Sequence, residues 1–249
     1  PVVDGAVCGG LPALPAKANL IDTQVTVSVA DFGSQECSTA PADTKDIVVS
    51  NYSTQVITAS ATLQAPSAFA IASANPVTIG AGNATTPTTG VITLSLKPIG
   101  AVTGTITENV TVAVTGIQPP DDKPRMTTAR VDIHGAILTF QPNPLAGFAS
   151  SCFLGSQGYS CTEDEKAFTI TNTGSDTVQV EGTLTRTAGP RAWAISASGV
   201  LSPGDHPGTM FFSPDSPCTL CEIKLDLLQI SGAKLCTPPP TMDFQGSTN

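Results

Sequence analysis

The stretch from residue 167 to residue 214 consists of short apolar runs separated by tight-turn sequences, and it constrains the fold more than any other part of the chain. Phe168 and Ile170 alternate with polar residues up to the turn Asn172–Gly174, and later runs are separated by the turn Ser202–Asp205. Alternation with a period of two predicts half-buried strands, and Asn-x-Gly and Pro-Gly predict tight turns. The stretch therefore predicts four short strands.

The same pattern occurs once in each half of the chain. Leu96–Gly116 aligns with Phe212–Gly232 without a gap, because both segments contain 21 residues. In this alignment Val112 matches Leu228, and both halves end on a strand that closes on glycine. The repetition predicts two copies of one domain.

We therefore predict an all-β protein with two tandem β-sandwich domains and an extended N-terminal arm. The arm covers residues 1–22, the first sandwich residues 23–136 and the second residues 137–249. About seven strands within roughly 110 residues is the size of one such sandwich. The boundary is barely a linker, so we expect the two domains to touch and to move little relative to each other.

The aromatic residues predict the positions of the two cores. Trp193 lies on a predicted strand that aligns with the strand of Phe69. We expect these two residues to be buried equivalents, with Phe212 and Leu96 beside them.

These motifs resemble the bacterial choice-of-anchor D repeats, which are similar to the ASPM-SPD-2-Hydin and major sperm protein domains. The second half matches the pattern through three motifs: Asn172–Gly174, Leu201–Gly204 and Phe212–Pro214. The first half departs from it with three variants: Asn51–Ser53, Ile79–Gly82 and Leu96–Pro98. The resemblance implies immunoglobulin-like sandwiches in adhesive, scaffolding or assembly roles, mostly without catalysis. Its motifs are turn and core positions, so they specify fold more than function.

The charge balance excludes several classes of partner. The chain has 11 Lys and Arg residues against 20 Asp and Glu residues, for a net charge of −9. It therefore has no basic stripe to neutralise phosphates, and we expect no nucleic-acid partner. No apolar run reaches the roughly 18 residues that a membrane span requires, so we expect no membrane insertion.

The first 22 residues contain several Pro and Gly residues and no periodic pattern, which predicts an extended arm. Val2, Val3, Leu11 and Leu14 are its apolar residues. Such an arm either straps its own domain as a linker or docks on a neighbouring chain, and we predict head-to-tail association through it.

The seven cysteines indicate an oxidising compartment, and hence an extracellular or cell-surface location. We expect four of them to form two bridges at the far end of the second domain, with the pairing left open: Cys152, Cys161, Cys218 and Cys221. A bridge between Cys37 and Cys236 across the domain junction is geometrically reasonable and leaves Cys8 as the odd, intermolecular thiol. The rival pairing joins Cys8 to Cys37 and leaves Cys236 spare.

No stretch of the sequence predicts chemistry, and we predict no catalytic residue, cofactor or metal ligand. His134 and His206 lack the local context of a catalytic triad. Cys218 and Cys221 form a C-x-x-C motif that could be drawn as a zinc site with Cys236 and His206, but a second C-x-x-C is missing. Disulfide bonding is the better interpretation of these cysteines.

Two functions agree with these observations. The first is a non-enzymatic extracellular structural or assembly protein, a subunit of a surface fibre, appendage or coat, whose partner is another copy of itself or another surface protein. The alternative is an adhesive or ligand-binding module of a larger secreted protein. The mass in solution separates the two, since a module of the second kind stays monomeric.

Overall fold

Aliphatic and β-branched residues that alternate with small polar ones make strands the dominant element of this chain. A computed structural model describes five segments of it: residues 24–37, 43–118, 122–143, 145–189 and 193–249. The described residues form twenty strands and no helix, so none of them belongs to a helix that could cross a membrane. The predicted fold class is confirmed: the chain is all-β, with immunoglobulin-like sandwiches. The predicted arm, residues 1–22, lies outside the described residues.

The first half of the chain, up to residue 135, forms one sandwich. Its strands are β1 (Val25–Val27), β2 (Ala30–Glu36), β3 (Thr44–Asn51), β4 (Ile57–Leu63), β5 (Phe69–Ile71), β6 (Val77–Ile79), β7 (Thr88–Leu96), β8 (Gly104–Thr115) and β9 (Arg125–His134). One sheet has the order β1-β3-β7-β5, and the facing sheet has the order β2-β9-β8-β4-β6. The first strand thus divides between the sheets, since β1 is antiparallel to β3 whereas β2 is parallel to β9.

The second half, from residue 136, repeats this architecture. Its strands are β10 (Leu138–Gln141), β11 (Phe148–Ser150), β12 (Cys152–Gly155), β13 (Gly158–Cys161), β14 (Asp164–Asn172), β15 (Val178–Ala188), β16 (Trp193–Ala197), β17 (Val200–Leu201), β18 (Gly204–Phe212), β19 (Cys221–Gly232) and β20 (Thr241–Thr248). The sheets have the orders β10-β14-β18-β16 and β11-β20-β19-β15-β17, again with a parallel pair, β11 with β20. The hairpin β12–β13 has no counterpart among the described strands of the first half.

Each half has its own hydrophobic core between its two sheets. The register confirms the expected equivalence of Phe69 and Trp193, because Phe69 pairs with Leu96 and Trp193 pairs with Phe212. Phe69 is fully buried, but Trp193 is only partly buried on the edge strand β16. The expectation that both residues are buried therefore holds for Phe69 and only in part for Trp193, which packs against the core from its edge. The boundary at residues 136 and 137 stays a prediction.

The ungapped alignment of the two halves is wrong within β19. It matches the buried Val112 to Leu228, which is 62% exposed. Strand β15 pairs Gln179 with Ser231 and Val180 with Gln229, so Ile230 is an extra, bulged residue. A bulge shifts every following side chain to the opposite face, so the buried equivalent of Val112 is Leu227.

A buried asparagine closes the same strand in both halves. Asn51 donates hydrogen bonds from Nδ2 to the carbonyl oxygens of Gln55, at 2.8 Å, and Gly80, at 2.7 Å. Asn172 donates two bonds to carbonyls at the same sequence separations, 4 and 29 residues. Since a buried amide must be hydrogen-bonded, these asparagines join three chain segments at one end of each sandwich. Asn51 also begins an Asn-x-Ser sequence, the acceptor pattern of N-glycosylation, and its side chain is buried.

We expect Asn172→Ala to lower the free energy of unfolding by about 2–3 kcal/mol, because it leaves the Leu201 carbonyl and the Gly174 amide without this partner in a buried site. Urea unfolding monitored by tryptophan fluorescence measures the loss. Asn83→Ala is the matched control, since Asn83 is exposed and bonds only within its own turn. Equal losses for the two variants would contradict the structural role of Asn172.

Candidate functional site

The junction between the two halves is covalently closed. Cys37 follows β2 and Cys236 follows β19, and the two form a disulfide with a Cα–Cα distance of 5.2 Å. Gly135 lies against this bridge at a φ of 152°, where a Cβ atom would collide with both sulfur atoms. Glycine is therefore required at the point where the chain passes from one half to the other.

Backbone hydrogen bonds reinforce the disulfide at the junction. The amide of Ala136 donates to the carbonyl of Lys234 at 2.9 Å, and the amide of Cys236 donates back to the carbonyl of Ala136 at 2.9 Å. His134 Nδ1 lies 2.8 Å from a carboxylate oxygen of Asp176, which joins the last strand of the first half to a turn of the second. We conclude that the two halves are attached through several independent contacts.

The junction also has an apolar groove beside the disulfide. Its volume is about 370 Å³ and its lining includes Cys37, Leu228, Leu235, Cys236, Pro238 and Pro239. Leu228 and Ile230 expose their side chains next to it. Among the described residues that line the groove, Lys234 is the one titratable side chain outside the disulfide, and most of the others offer apolar surface for contact.

The other four bonded cysteines lie at the opposite end of the second half, which we call the hairpin pole. Cys152 is bonded to Cys161 across the hairpin, and Cys218 is bonded to Cys221, with Cα–Cα distances of 4.0 and 6.1 Å. Hydrogen bonds in both directions between Thr248 and the backbone of Cys218 place the second bridge next to the end of β20. The structure thus adopts one of the three pairings that the sequence left open.

The hairpin β12–β13 presents apolar side chains to solvent. Phe153 is 68% exposed, Leu154 73% and Tyr159 50%. Leu154 is the cross-strand partner of Tyr159, and Phe153 is the partner of Ser160, so apolar groups lie on both faces of the hairpin. Sequence reasoning placed Cys152 and Cys161 at the far end of the second domain and missed the hairpin. The glycines at 155 and 158 between the two cysteines are the signal that predicts a hairpin.

The residues that were weighed for chemistry do not come together. Cys236 lies at the junction, whereas Cys218 and Cys221 lie at the hairpin pole, so they cannot share one zinc ion. His206 donates from Nε2 to the carbonyl of Ser202 at 2.7 Å. Within the described segments, no group of three His, Cys, Asp or Glu side chains could hold a metal. Cys8, Val2, Val3, Leu11 and Leu14 lie outside the described residues.

No family model matches the chain, and no curated protein matches it. Solved structures that it is similar to include a Porphyromonas gingivalis W83 protein of unknown function, with 12% identity over 90% of this chain and 99% of that chain, and a TM-score of 0.31. Another is the C-terminal domain of the Streptococcus pyogenes antigen I/II-family protein AspA, with 8% identity, coverage of 91% and 99%, and a TM-score of 0.34.

A further similar structure is PapD-like domain 7 of human CEP192, an ASH domain, with 10% identity over 45% of this chain and 85% of that domain, and a TM-score of 0.33. Membership of the choice-of-anchor D group stays a prediction, because no family model matches. The immunoglobulin-like assignment rests on the strand pairing within this chain.

Proposed function

We propose that the chain is a non-enzymatic structural protein of the extracellular or envelope space that self-associates as a subunit of a surface fibre, appendage or coat. The main support is its use of cysteine. Three intrachain disulfides use six of the seven cysteines, which leaves Cys8 on the arm without a cysteine partner in its own chain. An odd cysteine beside formed disulfides points to a thiol partner on another chain.

The disulfides also support the proposed location. Structural disulfides form and persist outside the reducing cytosol. One of them spans 199 residues and ties both halves together, which suits a subunit that must stay folded without cellular chaperones. We place the protein at the cell surface or in the secreted fraction for this reason.

The position of the arm supports association. Strand β1 begins at Val25, beside the end of β3 at Asn51, whereas β2 and β9 end at the junction. The arm therefore leaves the first half at the end away from the junction, which we call the arm pole. A chain with an arm at one end can contact the opposite end of the next copy, which is a head-to-tail contact. Such contacts produce filaments when they do not close into a ring.

We expect deletion of residues 1–20 to leave both sandwiches folded and to abolish self-association, because the arm supplies the contact. Analytical ultracentrifugation measures the mass, and far-UV circular dichroism checks the fold. The variant Cys8→Ser separates covalent from non-covalent association: it removes disulfide-linked species on non-reducing gels and keeps the reversible ones. A wild-type chain that is monomeric at every concentration contradicts the proposal and favours the alternative, an adhesive or ligand-binding module of a larger secreted protein.

A further inference from the structure

The hairpin β12–β13 is built as a protrusion and is not part of either sandwich sheet. It forms a two-stranded sheet of its own, and thirteen residues, 151–163, separate β11 from β14, whereas seven, 37–43, separate β2 from β3. Its base is held firmly: the amide of Asn249 donates to the carbonyl of Ser150, and the amide of Thr162 donates to the carbonyl of Ser151. The second half therefore has an anchored, exposed element with no counterpart among the described strands of the first half.

The disulfide between Cys152 and Cys161 keeps this hairpin in one conformation. An isolated two-stranded hairpin is marginally stable in water. Here the bridge closes its open end, so the exposed Phe153, Leu154 and Tyr159 stay ordered without a bound partner. Preorganisation of this kind lowers the entropic cost of binding. The element is thus prepared for an interaction.

We propose that residues 1–8 of one copy add as an edge strand to the hairpin β12–β13 of the next copy, an inference that rests on the proposed function and names the partner surface of the arm. Both outer edges of the hairpin are without a paired strand among the described residues. Residues 2–8 contain no proline, so every amide in this segment can donate to a sheet edge.

The pattern of side chains in residues 1–8 favours this segment as the occupant of the hairpin edge. Successive residues of a strand point to opposite faces, so the adjacent Val2 and Val3 would cover both faces of the sheet that they extend. The hairpin has an apolar group on each face, Leu154 on one and Phe153 on the other. Two neighbouring valines therefore match a surface that is apolar on both sides.

Charge favours the same pairing. The hairpin, residues 152–161, contains no charged side chain, and residues 1–8 contain one, Asp4. The rest of the chain has a net negative charge, so two copies repel each other over most of their surfaces. Contact between two almost uncharged elements avoids this repulsion.

The distance between the arm pole and the hairpin favours binding of residues 1–8 to a neighbouring copy over binding to the same copy. Along the molecule, two sandwich lengths of roughly 65 Å separate Gln24 from the hairpin, at about 3.3 Å per strand residue. Residues 9–23 connect the proposed docking segment to Gln24, and the 16 residue steps from Cys8 to Gln24 extend to at most about 58 Å, which is shorter than this separation. In a head-to-tail contact the arm pole of one copy lies next to the hairpin pole of the other, and this length suffices.

The test uses two defective chains in a Cys8→Ser background. One lacks residues 1–20, and the other is the full chain with Phe153→Ser, Leu154→Ser and Tyr159→Ser. Each should be monomeric alone, because each lacks one side of the contact. Mixed, they should form a one-to-one dimer that does not grow, since the first supplies a hairpin and the second an arm. Sedimentation velocity detects that dimer.

The matched control is the full chain with Leu228→Ser, Ile230→Ser and Val200→Ser, which removes three exposed apolar side chains of the same half away from the hairpin pole. It should associate as the wild type does, whereas the hairpin variant should bind at least about tenfold more weakly. Loss of association in the control instead would place the contact at the junction groove and overturn the inference.

Two further results would also overturn it. A mixture that stays monomeric, although the arm deletion alone abolishes self-association, would leave the proposed function standing and show that the hairpin is not the acceptor. Binding of the chain to phosphatidylcholine vesicles in a sedimentation assay, lost in the hairpin variant, would show that the occupant of the hairpin is a lipid surface. Unchanged near-UV circular dichroism of the variants shows that they are folded.

Discussion

Replacing Phe212 with alanine is expected to lower the free energy of unfolding by about 3–5 kcal/mol. Phe212 is fully buried at the end of β18, and its ring centroid lies 4.7 Å from that of Trp193 and 6.2 Å from that of Phe148. Its ring also covers Gly246, where a Cβ atom would come within 2.8 Å of it. The alanine variant loses these ring contacts and leaves a cavity, and cavities add to the lost transfer free energy.

Urea unfolding at concentrations where the chain is monomeric measures this change. Phe153→Ala is the matched control, because it removes the same side chain from an exposed position in the same half. We expect the control to stay within about 0.5 kcal/mol of the wild type. A loss below about 1 kcal/mol for Phe212→Ala would mean that the register of β18 with β16 and β14 is wrong.

Replacing both Cys37 and Cys236 with serine is expected to divide one cooperative unfolding transition into two. The bridge closes a loop of 199 residues, and the chain-entropy model assigns about 5 kcal/mol to a loop of that length. Without it, the halves are joined by a few hydrogen bonds at the junction, such as that between Ala136 and Lys234. Each half has its own core and can then unfold separately.

Differential scanning calorimetry distinguishes one transition from two. The control is the pair Cys152→Ser and Cys161→Ser, which opens a loop of 9 residues within the hairpin and leaves the junction intact. It should keep a single transition. A single transition with an unchanged midpoint in the Cys37 and Cys236 variant would show that the bridge does not couple the halves.

Local sequence patterns predicted the strands of both sandwiches because alternation and turn chemistry act over a few residues. The turn at Asn172 and the equivalent turn at Asn51 are examples, since one side chain closes the same end of each sandwich. The pairing of Phe69 with Leu96 and of Trp193 with Phe212 also followed from aligned apolar positions. The burial of Trp193 did not follow from the alignment. Trp193 lies on an edge strand, and whether a strand is at an edge depends on the order of strands in the sheet.

The bulge at Ile230 shows why alignment of the two halves was insufficient. Leu227 follows Phe212 by 15 residues, whereas its equivalent Val112 follows Leu96 by 16, and the bulged Ile230 restores the missing residue, so the segments align without a gap while their faces differ. Only the pairing of β15 with β19 reveals the extra residue. The alternation of apolar and polar residues does not reveal two compensating one-residue changes. Each change alone inverts the alternation, and both together restore it.

By itself, the sequence determined the all-β class, the twofold repetition and the residues that close each sandwich, because these depend on composition, spacing and turn geometry. The tertiary structure decided which cysteines pair, that the first strand of each half divides between two sheets, and that residues 152–161 form a hairpin with exposed Phe153 and Leu154. These features depend on which distant segments lie side by side. A disulfide forms only where two chain segments bring their Cα atoms within about 7 Å, and the folded arrangement of the sheets sets that distance.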